Sequence, residues 1–180
     1  MNAELQARHF LPLPQFVPPL RARALAQTLV RYHSATPLAP DVLVPGAPSV
    51  YDFLPFVRLM VEKIPQVEEV VGERILPTYT YARLYGHGDA LRQHEDRDAC
   101  ELSLSLNLDA DDPWPIWFKS PDGTAVSISQ RPGDAVVYLG CQTPHWREPY
   151  PGTSCAQVFL HYVFAFGDRA YAYFDKKRTR

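Results

Sequence analysis

The sequence predicts an α+β chain in which helices come first and a jelly-roll-like double sheet of antiparallel strands follows. Three observations carry this. Residues 1–75 place apolar side chains at helical spacing and are punctuated by prolines. From Leu76 onward the texture turns to short runs of β-branched and aromatic residues separated by turn signals. No helical pattern interrupts those runs, which argues against a parallel α/β sheet and for a sandwich or barrel.

The elements follow in order. After Pro18-Pro19, Leu25, Leu29 and Tyr32 recur at helical spacing, so a helix is expected over about 19–33. The prolines of "TPLAPDVLVPGAP" (36–48) mark a loop. Ser49 or Asp52 is a candidate cap for a second helix through "FLPFVRLMVEKI", and Pro65 is expected to open a short third one ending at Gly72. The strands begin with "TYTYARLY". "CELSLSLNL" alternates strictly, with Leu102, Leu104, Leu106 and Leu108 on one face and Glu101, Ser103, Ser105 and Asn107 on the other. Cys100 shares the leucine parity and reads as a buried core thiol at the head of that row. "PIWF", "TAVSISQ", "DAVVYL" and "AQVFLHYVFAF" complete the set, with turns at Pro121-Asp122-Gly123 and Pro132-Gly133-Asp134. Residues 1–75 then form a helical region packed on a core of residues 76–180, the two together making a single domain.

The bulk numbers exclude several classes. With 46% hydrophobic and 21% charged residues, the 180-residue chain can bury a core, and its 18 prolines are dispersed rather than clustered. The net charge of −2 gives no basic field for nucleic acid, and the terminal "KKRTR" is only a short basic tail. No apolar run reaches the ~18 residues of a membrane span, and the first residues lack a signal-peptide core. Three cysteines, Cys100, Cys141 and Cys155, show no paired spacing, so no disulfide framework and a cytoplasmic setting are expected.

The chemistry is concentrated in "LRQHEDRDACE". In a strand, residues i and i+2 share a face, so His94 and Asp96 can aim at one point while Glu95 faces away. Alone, the triplet is weak evidence and reads first as a surface strand end with solvated charges. His145, in "GCQTPHWRE" just beyond the strand "GDAVVYLG", adds a third donor from a segment that a double sheet can bring alongside. Two histidines and one carboxylate leave coordination positions open, which suits non-heme Fe(II); closed structural zinc would want a fourth ligand.

At these residues the chain resembles the Fe(II)/2-oxoglutarate-dependent dioxygenase superfamily, in its prolyl-hydroxylase-like branch. The resemblance covers roughly residues 76–166 and rests on "YARLYGHGDALRQHED", "RPGDAVVYLG" and the "PHW" that follows. It implies a double-stranded β-helix (jelly-roll, cupin-like) core, with His94, Asp96 and His145 as iron ligands and catalytic centre. It also implies that Tyr85, nine residues before His94, helps hold 2-oxoglutarate; the plain reading of Tyr85 is a core aromatic. The implied cosubstrates are 2-oxoglutarate and O₂, with ascorbate as a reductant, and an intact Asp96 points to hydroxylation rather than halogenation. The reaction would hydroxylate an unactivated C–H bond and release succinate and CO₂.

One feature departs from the family pattern. Where the family carries an Arg or Lys after the distal histidine for the far carboxylate of 2-oxoglutarate, this chain has Ser154, Cys155, Ala156 and Gln157. The replacements within reach are Arg147, the Gln157 and His161 pair on one strand face, and Arg83 or Lys119 from other strands.

Arg97 and Glu101 read either as a solvated pair or as a clamp at the site mouth, Trp114 and Trp117 as core candidates, and Trp146 as a cavity wall or a sheet-packing residue. The expected substrate is a small molecule, an amino acid or a peptidyl side chain, since few residues lie outside the barrel; neither nucleic acid nor membrane is expected as a partner. The rival readings are a non-enzymatic cupin-like binder of metal or ligand and a zinc-dependent hydrolase or isomerase on the same barrel, with a nucleic-acid demethylase disfavoured by the charge balance.

Overall fold

The computed structural model describes residues 1–176; the basic tail beyond Lys176 lies outside the described residues. Among the described residues, ten strands form two sheets. A six-stranded sheet has the order β1-β8-β5-β10-β3-β2, from Phe10–Leu13, Ala135–Tyr138, Leu102–Ala110, Cys155–Phe164, Ile75–Tyr85 and Ser49–Tyr51. A four-stranded sheet has the order β4-β9-β6-β7, from Leu91–His94, His145–Arg147, Ile116–Lys119 and Ala125–Ile128. Every pairing is antiparallel.

Three helices precede most of the strands: α1 (Ala3–Arg8), α2 (Pro19–Ala35) and α3 (Leu54–Val71). Asn2 caps α1, its Oδ1 accepting from the amides of Glu4 and Leu5. α2 opens on Pro19, where the missing N–H costs nothing, and buries Ala22, Ala26 and Leu29 along one stripe. α3 buries Phe56, Leu59, Met60, Val67 and Val71, and ends at Gly72, whose φ of 69° closes the helix on the carbonyl of Glu68. These stripes cover one face of the larger sheet, where Leu102, Leu104, Leu106 and Leu108 are fully buried.

The N-terminal part differs from the sequence expectation in three ways. It is not wholly helical: β1 and β2 leave it to become the two edges of the larger sheet. Pro65 does not start a new helix but sits inside α3. The carbonyl its ring leaves unpaired belongs to Val61, on an exposed face of the helix where water can take its place. Neither Ser49 nor Asp52 caps α3, which has no side-chain cap; Ser49 lies in β2, and Asp52 accepts from the amide of Thr80 in β3.

β5 is also more deeply placed than its alternation implies. Its polar row is buried as fully as its leucines, with Ser103 and Ser105 at 0% exposure and Asn107 at 3%. The leucines face the helices, so the polar row faces the second sheet. Cys100 does not head the leucine row. It lies in a short 3₁₀ turn (Asp98–Cys100) before β5, with Sγ 2.9 Å from the hydroxyl of Tyr79. Of the tryptophans, Trp114 is buried, while Trp117 stacks on Trp146 at 5.9 Å, both only half-buried. Cys100, Cys141 and Cys155 are all free thiols. Among the described residues no helix is long and apolar enough to cross a membrane.

Candidate metal centre

β4 and β9 bring the histidines together. His94 is the last residue of β4 and pairs directly with His145, the first residue of β9; their rings lie 4.3 Å apart. Asp96 lies past the end of β4, so strand alternation is not what aligns it. Its amide donates to the carbonyl of Gly140 (2.9 Å), which turns the chain and aims the carboxylate back at the histidines. Asp96 Oδ1 lies 3.7 Å from His94 Nε2 and 3.8 Å from His145 Nε2, and the three donor atoms all fall within 4.8 Å of one another.

The protonation pattern fits a cation. Nδ1 of His94 lies 2.9 Å from the carbonyl of Arg92, and Nδ1 of His145 lies 2.9 Å from that of Thr143. A carbonyl can only accept, so each neutral ring carries its proton on Nδ1 and leaves Nε2 bare. Burial pulls the pKa of His145 down to about 4 against the opposing field of Asp96, so this ring is neutral at pH 7. The Tyr138 hydroxyl lies 3.5 Å from His145 Nε2, at the outer limit for a hydrogen bond. The Nε2 atoms of both rings and a carboxylate oxygen thus converge on one point, a donor set that a cation can join. Two imidazoles and one carboxylate match the donor set of an open non-heme iron site.

Gly140 makes this packing possible. A Cβ there would lie 2.3 Å from the carbonyl of Cys100, 2.5 Å from Asp96 Oδ2 and 2.8 Å from Ser103 Oγ, so only glycine admits the close approach.

A cavity of about 380 Å³ opens over the three residues. Tyr51, Tyr79, Tyr81 and Phe159 supply much of its wall, and Arg83 and His161 also line it. The structure therefore brings two of the sequence's anchor candidates, Arg83 and His161, to the cavity lined by His94, Asp96 and His145. Arg83 is held in place: its Nε donates to Asp41 (3.0 Å), its Nη1 donates to the Tyr85 hydroxyl (3.1 Å), and Tyr81 also bonds to Asp41.

Tyr85, Arg147 and Gln157 are buried but do not line this cavity. Arg147 donates to the carbonyl of Trp114 (2.6 Å), to Gln130 Oε1 (2.9 Å) and weakly to Ser105 Oγ (3.4 Å). It has no carboxylate partner among the described residues, and its Nε and the Oε1 of Gln157 lack any hydrogen bond. Burial lowers the pKa of this guanidinium, and Arg83 adds to the effect. Lys119 is not part of the site: it is exposed at the end of β6.

Arg97 and Glu101 do not pair with each other. Arg97 lies over the ring of Tyr79 and donates to Asp175 (2.5 Å) and the Tyr51 hydroxyl (2.8 Å), whereas buried Glu101 accepts from the amide of Phe164 (2.9 Å) and from Arg169. Sequence reasoning did not single out Asp41, Ser103 or Gly140 for the site. The one legible signal was the polar row of β5, which includes Ser103.

No protein-family model matches the sequence, and no curated protein matches it. Solved structures do. A Pseudomonas putida prolyl-4-hydroxylase superposes with a TM-score of 0.72 at 20% identity, over 89% of this chain and 95% of that one. The non-heme α-ketoglutarate-dependent epimerase SnoN from nogalamycin biosynthesis gives 0.74 at 15%, over 91% and 80%. HygX from Streptomyces hygroscopicus, solved with nickel and 2-oxoglutarate bound, gives 0.72 at 14%, over 92% and 88%. By fold, the chain is a double-stranded β-helix of the kind on which prolyl hydroxylases and other iron- and 2-oxoglutarate-dependent oxygenases are built.

Proposed function

We propose that the protein is an Fe(II)- and 2-oxoglutarate-dependent oxygenase that hydroxylates a C–H bond of a small molecule, an amino acid or a peptidyl side chain. The observation that carries this is the convergence of His94 Nε2 and His145 Nε2 on Asp96 Oδ1 at the floor of one cavity. The fold supports it, since structures of this shape include one with a metal and 2-oxoglutarate bound. Iron, 2-oxoglutarate and O₂ would supply the oxidising chemistry, ending in succinate and CO₂.

The chain's own residues have defined tasks in this reading. His94, Asp96 and His145 hold the metal. Arg83 meets the far carboxylate of 2-oxoglutarate, because it lines the same cavity and is fixed by Asp41 and Tyr85. Arg147 keeps the interior behind that wall positive. Two buried guanidinia, Arg83 and Arg147, stand against one paired carboxylate, Asp41, so one positive charge is left over. A buried unpaired cation is costly, and an arriving carboxylate offsets that cost. The Tyr85 hydroxyl accepts from Arg83 Nη1 and so helps fix that guanidinium. The tyrosine-lined mouth favours a compact substrate and helps exclude water.

The test is to incubate the purified protein with Fe(II), ascorbate and 2-oxoglutarate, alone and with panels of amino acids, short peptides and hydroxylatable metabolites, and to measure succinate. Succinate formed above a metal-free blank and dependent on O₂ is the expected result. No metal-dependent binding or turnover of 2-oxoglutarate would favour a cupin-like binder instead. Turnover of an ester, amide or isomerisable substrate with Zn(II) and without O₂ would favour the hydrolase or isomerase reading.

A further inference from the structure

With the Tyr138 hydroxyl as one neighbour, Ser103 stands at the centre of a polar cluster beside the candidate metal centre. Its Oγ is 2.8 Å from Asp96 Oδ2, 2.9 Å from His161 Nδ1 and 3.2 Å from the carbonyl of Cys100. The side chain is completely buried, so water does not share these bonds. The hydroxyl has one proton. The carboxylate and the carbonyl can only accept, whereas the imidazole nitrogen can do either. Giving the proton to His161 would set the lone pairs of Ser103 against a carboxylate oxygen at 2.8 Å. Giving it to Asp96 makes a charge-assisted bond and leaves Oγ free to accept from His161. His161 then carries its proton on Nδ1. Its Nε2 is an unprotonated acceptor with no hydrogen-bond partner among the described residues, on a ring that lines the cavity at 4.4 Å from Tyr79.

The two oxygens of Asp96 are therefore divided. Oδ1 faces the histidines and Oδ2 is held by Ser103. Gly140 leaves room for this pair, since a Cβ there would lie 2.5 Å from Oδ2 and 2.8 Å from Ser103 Oγ.

We infer that Ser103 is a positioning residue for the metal-binding carboxylate. It ties up Asp96 Oδ2 so that Oδ1 alone serves the metal, and it fixes His161 as a hydrogen-bond acceptor facing the cavity. This rests on the reading of His94, Asp96 and His145 as metal ligands, but the two arms of its test separate the claims.

The first arm is ¹⁵N NMR of histidine-labelled, metal-free protein. His161 is expected as the Nδ1–H tautomer, and in Ser103→Ala its two nitrogens shift toward a mixture of tautomers. An Nε2–H tautomer in the unaltered protein overturns the inference, whatever the protein's activity. The second arm is binding of Co(II), an O₂-inert probe, followed by its visible absorption and by competition with a chelator. Ser103→Ala is expected to weaken binding about 10- to 100-fold and to change the Co(II) band shape, as loss of a ligand-orienting partner does. His161→Phe leaves the bond from Ser103 to Asp96 intact and is expected to weaken binding by less than Ser103→Ala. Equal Co(II) affinity and spectrum in Ser103→Ala, or a larger loss in His161→Phe, overturns the positioning role. Thermal unfolding of each variant shows that the fold is kept, and if Ser103→Ala does not fold the tautomer in the unaltered protein decides. Absence of Co(II) binding in the unaltered protein would sink the metal reading and still leave the tautomer to be read.

Discussion

The two faces of β5 share a backbone, a length and an almost complete burial, yet they do different work. One carries Leu102, Leu104, Leu106 and Leu108 against α2 and α3. The other carries Ser103, Ser105 and Asn107 into the space between the sheets, where Ser103 bonds Asp96, Ser105 touches Arg147 and Asn107 donates to the carbonyl of Gln130. Apolar burial needs only shape, but polar burial needs a partner for each group. The helix-side face therefore carries stability, and the inner face carries placement of chemical groups.

Four substitutions or conditions sharpen or break that contrast. The largest effect on stability belongs to the leucine face: Leu104→Ala should cost about 2–5 kcal/mol in urea unfolding, with Co(II) affinity kept within a few-fold. Metal affinity lost along with stability would show that the two faces are not separable. Asp96→Ala should show the converse, with Co(II) binding abolished at stoichiometric metal because only two neutral imidazoles remain. The metal-induced rise in melting temperature should vanish with it, while the metal-free midpoint moves little. Unchanged occupancy would remove Asp96 from the ligand set.

Arg147→Met should raise the apparent KM for 2-oxoglutarate about tenfold by removing the surplus buried charge. Its stability should fall by no more than about 1–3 kcal/mol, because removing a buried unpaired charge offsets part of the cost of leaving the Trp114 carbonyl and Gln130 Oε1 without a donor. An unchanged KM would leave the anchoring to Arg83 and His161 alone.

The smallest effect is a pH dependence of the metal-free protein. Burial holds both His145 and His161 at pKa values of about 4 in the folded state, below the 6.5 of an exposed imidazole. Between those values the unfolded chain takes up protons that the folded chain refuses, so their contribution is full above pH 6.5 and is lost as the pH falls toward 4. Chemical-denaturation midpoints measured from pH 8 to pH 4 should decline over that window, and saturating Co(II) at the upper end should delay the decline. A midpoint that is flat across the window would mean the rings are not held neutral.

Much of the site was legible before folding. His94, Asp96 and His145 could be picked out because a metal site needs donor side chains of particular kinds, and those kinds are rare enough to stand out. The reason they converge was only partly legible. Strand alternation was the sequence argument for pairing His94 with Asp96, whereas the bond from the Asp96 amide to Gly140 aims the carboxylate. The anchor was less legible still, because Arg83, Arg147 and Lys119 are equivalent as letters. Burial and partners separate them: Arg83 is held in the cavity wall, Arg147 is sealed in the interior with no carboxylate partner among the described residues, and Lys119 is in solvent.

The sequence by itself determined that a helix-rich segment precedes a run of antiparallel strands, and it determined the leucine face of β5 and the three metal-binding candidates. These depend on periodicity and side-chain chemistry, which are local properties. The tertiary structure alone decided that the polar face of β5 is an interior, that Pro65 lies within a continuous helix, that β1 and β2 close the edges of the larger sheet, and that Ser103 and Gly140 confine Asp96. Each of these depends on what lies across a gap of many residues, and a residue's own letter carries no record of its neighbour in space.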